Sequence, residues 1–388
     1  MKKLLSLALA LLMLAVMLPV VSMADEITWE ESKNVYWQAG DTSGQTATLA
    51  EALKAAYMAN KGDITITCRP NSDVGSLTHG HVADNITIIG NGAYISGGEC
   101  DLEVDTYMFS RDTGLQAESG GAYLEKEITI TASNLYNLGV WGQRHTNYTV
   151  NINLTNCDSK EISGKENVQR IYITGTTGVN NITVKDCDFL TTACALYSNA
   201  DGTVVIDNCT FKGGQVPVNF NHKASGAQTV TVKNCTFTNC GDASIVYAAP
   251  VRFVNSGTGS LDATIENNTF TDTVGNNGDI LLGDYREGKE PHDVTATITP
   301  NGTTKVRNSG TTDLPQTITG KVTADAKGNI TPVKEEGPTT IVIISPTQDT
   351  PKTDDQKNPT TGANDLVAVA VAAAALALAG SAIILRKD

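Results

Sequence analysis

A short sequence pattern recurs along most of the chain and limits what it can fold into. In each copy, an aliphatic residue that ends a stretch of alternating apolar and polar residues is followed three positions later by Asn, Cys or Ser. The copies are Ile88/Asn91, Ile130/Ser133, Leu154/Cys157, Val184/Cys187, Ile206/Cys209, Val232/Cys235, Ile265/Asn268 and Ile298/Asn301. Their uneven spacing excludes a solenoid of constant repeat length. It favours short strands joined by turns of variable length.

Four consecutive copies, VKDCDF, IDNCTF, VKNCTF and IENNTF, are the most similar. Each has a turn residue of a type that tolerates left-handed backbone: Asp186, Asn208, Asn234 and Asn267. The next residue and the following Phe are predicted to point inward and to stack on their equivalents: Cys187, Cys209, Cys235 and Asn268, then Phe189, Phe211, Phe237 and Phe270. A second strand is predicted in each copy, at residues 195–197, 216–220, 244–247 and 279–282.

The repeats resemble the right-handed parallel β-helix of the pectate-lyase-like superfamily, over residues 63–307. The resemblance implies an all-β solenoid of about eight coils. An N-terminal capping helix is predicted at residues 48–60, within the segment 25–62, because Thr48 and Glu51 form a capping box. Short strands are expected at 308–344. The fold hosts lyases, hydrolases, adhesins and phage tailspikes, so it does not define an activity.

The N-terminus has the three parts of a signal peptide, residues 1–24. Lys2 and Lys3 precede an apolar run, and small residues lead to a predicted cleavage between Ala24 and Asp25. The alternative is an uncleaved membrane anchor, for which the run is short. The pattern therefore predicts export.

The C-terminus contains a second targeting pattern, residues 358–388. The pentapeptide Asn358, Pro359, Thr360, Thr361 and Gly362 precedes an uncharged segment, 366–385, and then Arg386 and Lys387. That segment would span about 30 Å as a helix, with the basic end in the cytoplasm. This order of pentapeptide, apolar segment and basic tail resembles the sorting signal of sortase substrates, in which the pentapeptide is usually Leu-Pro-x-Thr-Gly. The resemblance implies cleavage at Thr361–Gly362, with sortase and peptidoglycan as partners, in a Gram-positive bacterium.

Two points about this end of the chain stay open. Asn358 stands where the usual motif has Leu, which leaves the sortase class undecided, and a permanent transmembrane anchor is the alternative. Residues 345–357 are mainly Pro, Thr, Asp, Gln and Lys, a composition that cannot bury a core. They are predicted to be a disordered linker that spans the wall.

The cysteines at the repeated position are predicted to be buried free thiols. Their spacing matches no zinc motif. Stacked side chains in register also keep their Cβ atoms farther apart than a disulfide prefers. The pairs Cys68 with Cys100 and Cys194 with Cys240 could form disulfides, and sequence does not decide between the two states.

Composition and motifs argue against several functions. The net charge of −14 argues against nucleic-acid binding. The sequence Thr78-His79-Gly80-His81 resembles the Gly-His-Gly of polygalacturonases, but the chain lacks the paired aspartates that such a site needs.

A lyase would need an acidic calcium site and a base. The candidate residues for these two roles are Asp284, Arg286, Arg252, Lys223 and His222. No catalytic residue, metal ligand or cofactor is assigned, although calcium is possible.

The ends of the predicted second strands are rich in Tyr and amide side chains, which commonly bind sugars. The candidate ligand face comprises Tyr197, Asn199, Asn221, His222, Tyr247, Asp284 and Tyr285. The sequence therefore favours a non-catalytic, adhesin-like surface protein that binds an extracellular glycan or host surface. The alternatives are a polysaccharide lyase or glycoside hydrolase on the same fold, and a passive surface protein.

Overall fold

A computed structural model describes residues 27–60, 62–77, 84–96, 101–103, 126–142, 148–161, 170–174, 178–190, 193–283, 293–309 and 314–334. The chain divides into two units, Met1–Pro346 and Thr347–Asp388, and all the described residues belong to the first. The predicted signal peptide, residues 335–388 with the predicted sorting motif, and also His79, Cys100, Asp284, Tyr285 and Arg286, lie outside them.

Most of the described residues belong to three β-sheets. The long sheet contains, in spatial order, β2 (Thr42–Thr46), β1 (Val35–Ala39), β3 (Asp63–Cys68), β4 (Asn85–Tyr94), β6 (Lys126–Tyr136), β8 (Tyr148–Thr155), β10 (Val179–Lys185), β13 (Gly202–Asp207), β16 (Ala227–Lys233), β19 (Ser260–Glu266), β22 (Val294–Thr299), β25 (Val322–Asp325) and β26 (Ile330–Pro332).

The other two sheets are built from shorter strands. The second sheet contains β24 (Gln316–Ile318), β23 (Thr304–Asn308), β21 (Ile280–Leu282), β18 (Val251–Asn255), β15 (Val218–His222), β12 (Leu196–Ser198), β9 (Ile171–Ile173), β7 (Gly139–Gly142) and β5 (Asp101–Glu103). The short sheet contains β11 (Asp188–Leu190), β14 (Thr210–Lys212), β17 (Thr236–Thr238) and β20 (Thr269–Thr271).

From β9 to β20, successive strands belong to the second sheet, the long sheet and the short sheet, and this order repeats four times. Each pass adds one strand in parallel beside the strand of the previous pass. The pairing becomes antiparallel at both ends of the long sheet, in β1–β2 and in β25–β26. The prediction of an all-β fold with long parallel sheets is thus confirmed, and this arrangement is compatible with an all-β solenoid.

The core consists of rows of equivalent side chains. One row of the long sheet is Ile66, Ile88, Ala132, Leu154, Val184, Ile206, Val232, Ile265, Ile298 and Val322, all buried and paired in register. Ala132 occupies the place predicted for Ile130, which pairs with Ile86 instead. A two-residue slip keeps the same side chains inward, so the apolar pattern does not reveal it.

The central residue of each strand in the short sheet is a phenylalanine whose ring points toward the core. The ring centroids of Phe189 and Phe211 are 5.2 Å apart, those of Phe211 and Phe237 4.8 Å, and those of Phe237 and Phe270 5.0 Å. The ring planes are within 12° of parallel. The predicted stacking is confirmed, because in-register strands place each ring directly over its equivalent.

The cysteine row is also confirmed as a column of buried free thiols, Cys157, Cys187, Cys209 and Cys235. The thiols of Cys187, Cys209 and Cys235 each donate to the carbonyl two residues earlier. Hydrogen bonds to the neighbouring thiols, together with burial, raise the pKa of Cys187. Asn268 ends the column, where its side chain accepts from the amide of Cys235 and donates to the carbonyl of Val232.

The remaining cysteines that the structure describes are free thiols as well. Cys194 and Cys240 do not form the disulfide that the sequence left open, and Cys68 is a buried free thiol. Burial raises the pKa of Cys68, Cys194 and Cys240 to about 12 in each case. These thiols therefore remain protonated at neutral pH.

The turn after each of the long-sheet strands β10, β13, β16 and β19 contains a residue in the left-handed conformation. Asp186, Asn208, Asn234 and Asn267 have φ angles of 54°, 53°, 57° and 55°, as predicted. Asn208 donates to the carboxylate of Asp186 at 2.6 Å, and Asn234 to that of Asp207 at 2.9 Å. Asn and Asp thus supply both the backbone conformation and a hydrogen bond between adjacent turns.

Helix α1 (Leu49–Ala59) has the predicted capping box. The side chain of Thr48 accepts from the amide of Glu51, and the side chain of Glu51 accepts from the amide of Thr48. Leu49, Leu53 and Ala56 are fully buried. The amphipathic pattern and the capping pair therefore predicted this helix correctly.

One predicted second strand is wrong. Residues 244–247 form turns, in which Asp242 accepts hydrogen bonds from the amide and hydroxyl of Ser244, and the strand of this repeat is β18, several residues later. These two bonds also lower the pKa of Asp242. Ile245 and Val246 resemble a strand in sequence, but the Asp242 side chain competes for the local backbone.

We expect the thiol of Cys209 to resist alkylation in the folded protein and to react on unfolding, because it is 1 % exposed. Cys209→Ala should lower the free energy of unfolding by about 1–3 kcal/mol, since a small buried side chain is removed from a packed column. Peptide mass spectrometry and denaturant titration measure the two effects, with the unfolded protein as the labelling control. Rapid native labelling would contradict the buried assignment.

Asn234→Ala should destabilise the protein by about 1–2 kcal/mol, because Ala is strained at a positive φ and loses the bond to Asp207. Asn234→Gly should recover much of the loss, since Gly adopts this conformation freely. The matched control is Asn301→Ala, at an exposed position that is not among the positive-φ residues. Equal denaturation midpoints for the Ala and Gly variants would contradict the backbone argument.

Candidate functional site

The outer face of the second sheet presents a row of large polar and aromatic side chains. Trp141, Tyr172, Tyr197, Asn219 and Arg252 pair in register on successive strands. Their neighbours in β9, β12 and β15 are buried, so alternation places this row outside. We call the cluster of Tyr172, Tyr197, Asn219, Asn221, Tyr247 and Arg252 the aromatic face.

Two tyrosines form the centre of the aromatic face. The rings of Tyr172 and Tyr197 are stacked, with centroids 4.6 Å apart and planes 18° from parallel. Burial raises the pKa of Tyr172, and it raises that of Tyr197 to about 12. The side-chain oxygen of nearby Asn221 accepts from the hydroxyl of Ser256 at 2.7 Å. Both phenols therefore stay neutral hydrogen-bonding groups.

Tyr247 reaches the same face from the loop before β18. Its ring lies 5.0 Å from the guanidinium carbon of Arg252, and the side chain is 38 % exposed. Arg252 is buried and donates to the Asn219 oxygen at 3.2 Å. The side-chain nitrogen of Asn277 donates to the backbone carbonyls of Val246 and Ala248. These contacts fix the loop, so the Tyr247 ring is held in place while one side of it meets solvent.

His222 does not belong to the aromatic face, contrary to the sequence prediction. Its ring is fully buried, with Nε2 2.8 Å from the Asp201 carboxylate and Nδ1 3.4 Å from the oxygen of Asn255. Asn221 and His222 are adjacent in β15, so their side chains point to opposite sides of the sheet. Asn199 is also buried, at 5 % exposure.

Of the seven residues predicted for the ligand face, the structure brings Tyr197, Asn221 and Tyr247 together. Asp284 and Tyr285 lie outside the described residues. Tyr172 and Asn219 also belong to this face, although neither was predicted from the sequence. The Ile171-Tyr172-Ile173 alternation after the copy Leu154/Cys157 was a usable signal, but no second strand was predicted for that copy.

The candidates for lyase chemistry are not gathered into a catalytic set among the described residues. Arg252 is buried against Tyr247 and Asn219, which separates it from a substrate proton, and His222 is internal. Lys223 is exposed, and Arg286 lies outside the described residues. No group of three or more His, Cys, Asp or Glu side chains suited to a metal ion occurs in the described parts of the chain.

No helix among the described residues is long and apolar enough to cross a membrane, and the predicted segment 366–385 is not among them. No model of a known protein family, no curated protein and no solved structure matches this chain. The aromatic face is therefore interpreted from its own chemistry.

Proposed function

We propose that this chain is a non-catalytic surface protein, attached to the cell wall of a Gram-positive bacterium, that binds an extracellular glycan through the aromatic face. The proposal rests on one observation above all, the exposed Tyr247 ring held against buried Arg252. An aromatic ring immobilised before binding offers its face to a sugar ring at little entropic cost.

Neighbouring groups on the aromatic face provide hydrogen bonds for sugar hydroxyls. Asn219 and Asn221 are partly exposed, and Asn219 pairs in register with Tyr197. A carboxamide both donates and accepts, so it can bond a hydroxyl in either orientation. An aromatic surface next to a few convergent polar groups is the usual composition of a small-ligand site.

The proposed scaffold is a right-handed β-helix of about eight coils, whose N-terminal end is closed by α1. The packing of α1 against β1, β2 and β3, and the hydrogen bond from the Leu49 amide to the Val74 carbonyl, support the capping role. An open end would expose unpaired strand edges, which invite aggregation.

The proposed anchoring follows from the two ends of the sequence. A signal peptide directs export, and sortase then joins Thr361 to peptidoglycan, after a transient stage in which residues 366–385 hold the chain in the membrane. The net charge of −14 suits solubility near the cell surface and argues against a nucleic-acid partner.

We expect Thr361 to be the last residue of the wall-linked protein, joined to a cross-bridge fragment. Digesting cell walls with a muramidase and analysing the C-terminal peptide by mass spectrometry tests this. The control is a Thr361→Ala variant, which should stay in the membrane fraction because the scissile bond is altered. Recovery of intact residues 366–385 as the main form of the unaltered protein would contradict sorting.

Tyr247→Ala should weaken glycan binding by about 1–3 kcal/mol, the scale of losing one aromatic contact at a binding hot spot. Tyr247→Phe should retain most of the affinity, because stacking needs the ring rather than the hydroxyl. Met58→Ala, at a 71 % exposed position on α1, is the control. A glycan array identifies the ligand and calorimetry measures each variant.

Two outcomes would contradict this proposal. Equal binding by Tyr247→Ala and the unaltered chain would place any ligand elsewhere and favour a passive role for the aromatic face. Calcium-dependent release of unsaturated sugar from a uronan would instead favour the lyase alternative. The second assay should include Arg286→Ala, since Arg286 is a candidate base outside the described residues.

A further inference from the structure

A groove lies at the beginning of the long sheet, away from the aromatic face. Its volume is about 370 Å³, within the range of small-ligand sites. It is lined by Ile27, Thr28, Tyr36, Gln38, Gln45, Thr65 and Thr67.

The floor of the groove is set by strand register. Tyr36 and Gln38 on β1 pair with Thr67 and Thr65 on β3. Alternation buries Val35, Trp37 and Ala39 on the other side of β1, so Tyr36 and Gln38 point outward. The sheet therefore presents the Tyr36 ring, the Gln38 carboxamide and the Thr65 hydroxyl side by side, while Thr67 is 2 % exposed at the base of the groove.

The rim of the groove is held by Gln45. Its amide nitrogen donates to the carbonyl of Thr28 at 2.8 Å, and its oxygen accepts from the amide of Glu30 at 3.1 Å. These two bonds fix the segment at Ile27 and Thr28 beside the sheet. The groove is thus built by specific contacts between distant parts of the chain.

Among the described residues, the lining of the groove contains no charged side chain, although the protein has a net charge of −14. A charged ligand would find no opposite charge among these residues and would lose hydration. A neutral sugar would find carboxamides and hydroxyls for its own hydroxyls, and Tyr36 and Ile27 for its apolar face. Charge and lining chemistry therefore favour an uncharged, polyhydroxylated ligand.

The groove continues into a row of small polar side chains. Thr65 pairs with Thr87, Thr87 with Thr131, and Thr131 with Asn153 on the outer face of the long sheet. Successive strands are about 4.8 Å apart, so this row offers a hydroxyl or amide at a regular short interval. A chain of sugar units that enters the groove could extend along it.

We propose that this groove is a second carbohydrate site, which takes one end of a neutral oligosaccharide while the following units lie along Thr65, Thr87 and Thr131. The site is independent of the aromatic face and uses none of its residues. A chain with both sites could hold two parts of one polysaccharide, which strengthens attachment without any new contact.

The test uses the full-length chain in a detergent without a sugar headgroup, carrying Tyr247→Ala so that the aromatic face is weakened in every sample. Saturation-transfer NMR is recorded with cellohexaose, maltohexaose and mannohexaose, and with hexagalacturonate as the charged comparison. At least one neutral hexamer should receive saturation and hexagalacturonate should not. Adding Tyr36→Ala should raise the dissociation constant about tenfold, the scale of one aromatic contact.

Gln38→Ala, at an exposed position, provides a second variant with little risk to folding and should also weaken binding. Met58→Ala is the control and should have no effect. Loss of binding on Tyr36→Ala and Gln38→Ala in the Tyr247→Ala background supports the groove whatever happens at the aromatic face. Absence of binding by all three neutral hexamers, equal binding of hexagalacturonate, or unchanged affinity in both groove variants would overturn the proposal.

Discussion

Parallel pairing of each strand with its equivalent one repeat away is the constraint on which the rest of the structure depends. The backbone hydrogen bonds of β10 are made to β8 and β13, those of β13 to β10 and β16, and so on. This pairing satisfies the backbone, and it also forces side chains at equivalent positions into contact. Inward positions therefore accept only side chains that can pack against the equivalent side chain of the next repeat.

The inward rows follow from that requirement. Aliphatic residues stack in the long sheet and Phe189, Phe211 and Phe237 stack at nearly constant distance. The cysteines form a column because a small thiol packs on another and can donate to a nearby carbonyl. Asn268 replaces the next thiol only because its two polar atoms both find backbone partners.

Outward positions have no such restriction, and the two proposed sites lie there. The aromatic face combines strand residues with a loop, since Arg252 on β18 orders Tyr247. The groove combines β1 and β3 with the segment before them, since Gln45 holds Thr28. In both places contacts between residues from different segments hold an exposed residue in position, which gives a repetitive scaffold a local binding surface.

The sequence by itself determined the features that depend on local pattern. Alternation indicated the long-sheet strands, Thr48 and Glu51 predicted α1, and the Asn and Asp turn residues predicted left-handed backbone, because these are properties of short segments. Tertiary structure alone decided the register of Ile130, the location of β18, the burial of His222, and the meeting of Tyr247 with Arg252. A two-residue slip or a longer turn leaves the local pattern unchanged, so only pairing between distant strands distinguishes the arrangements.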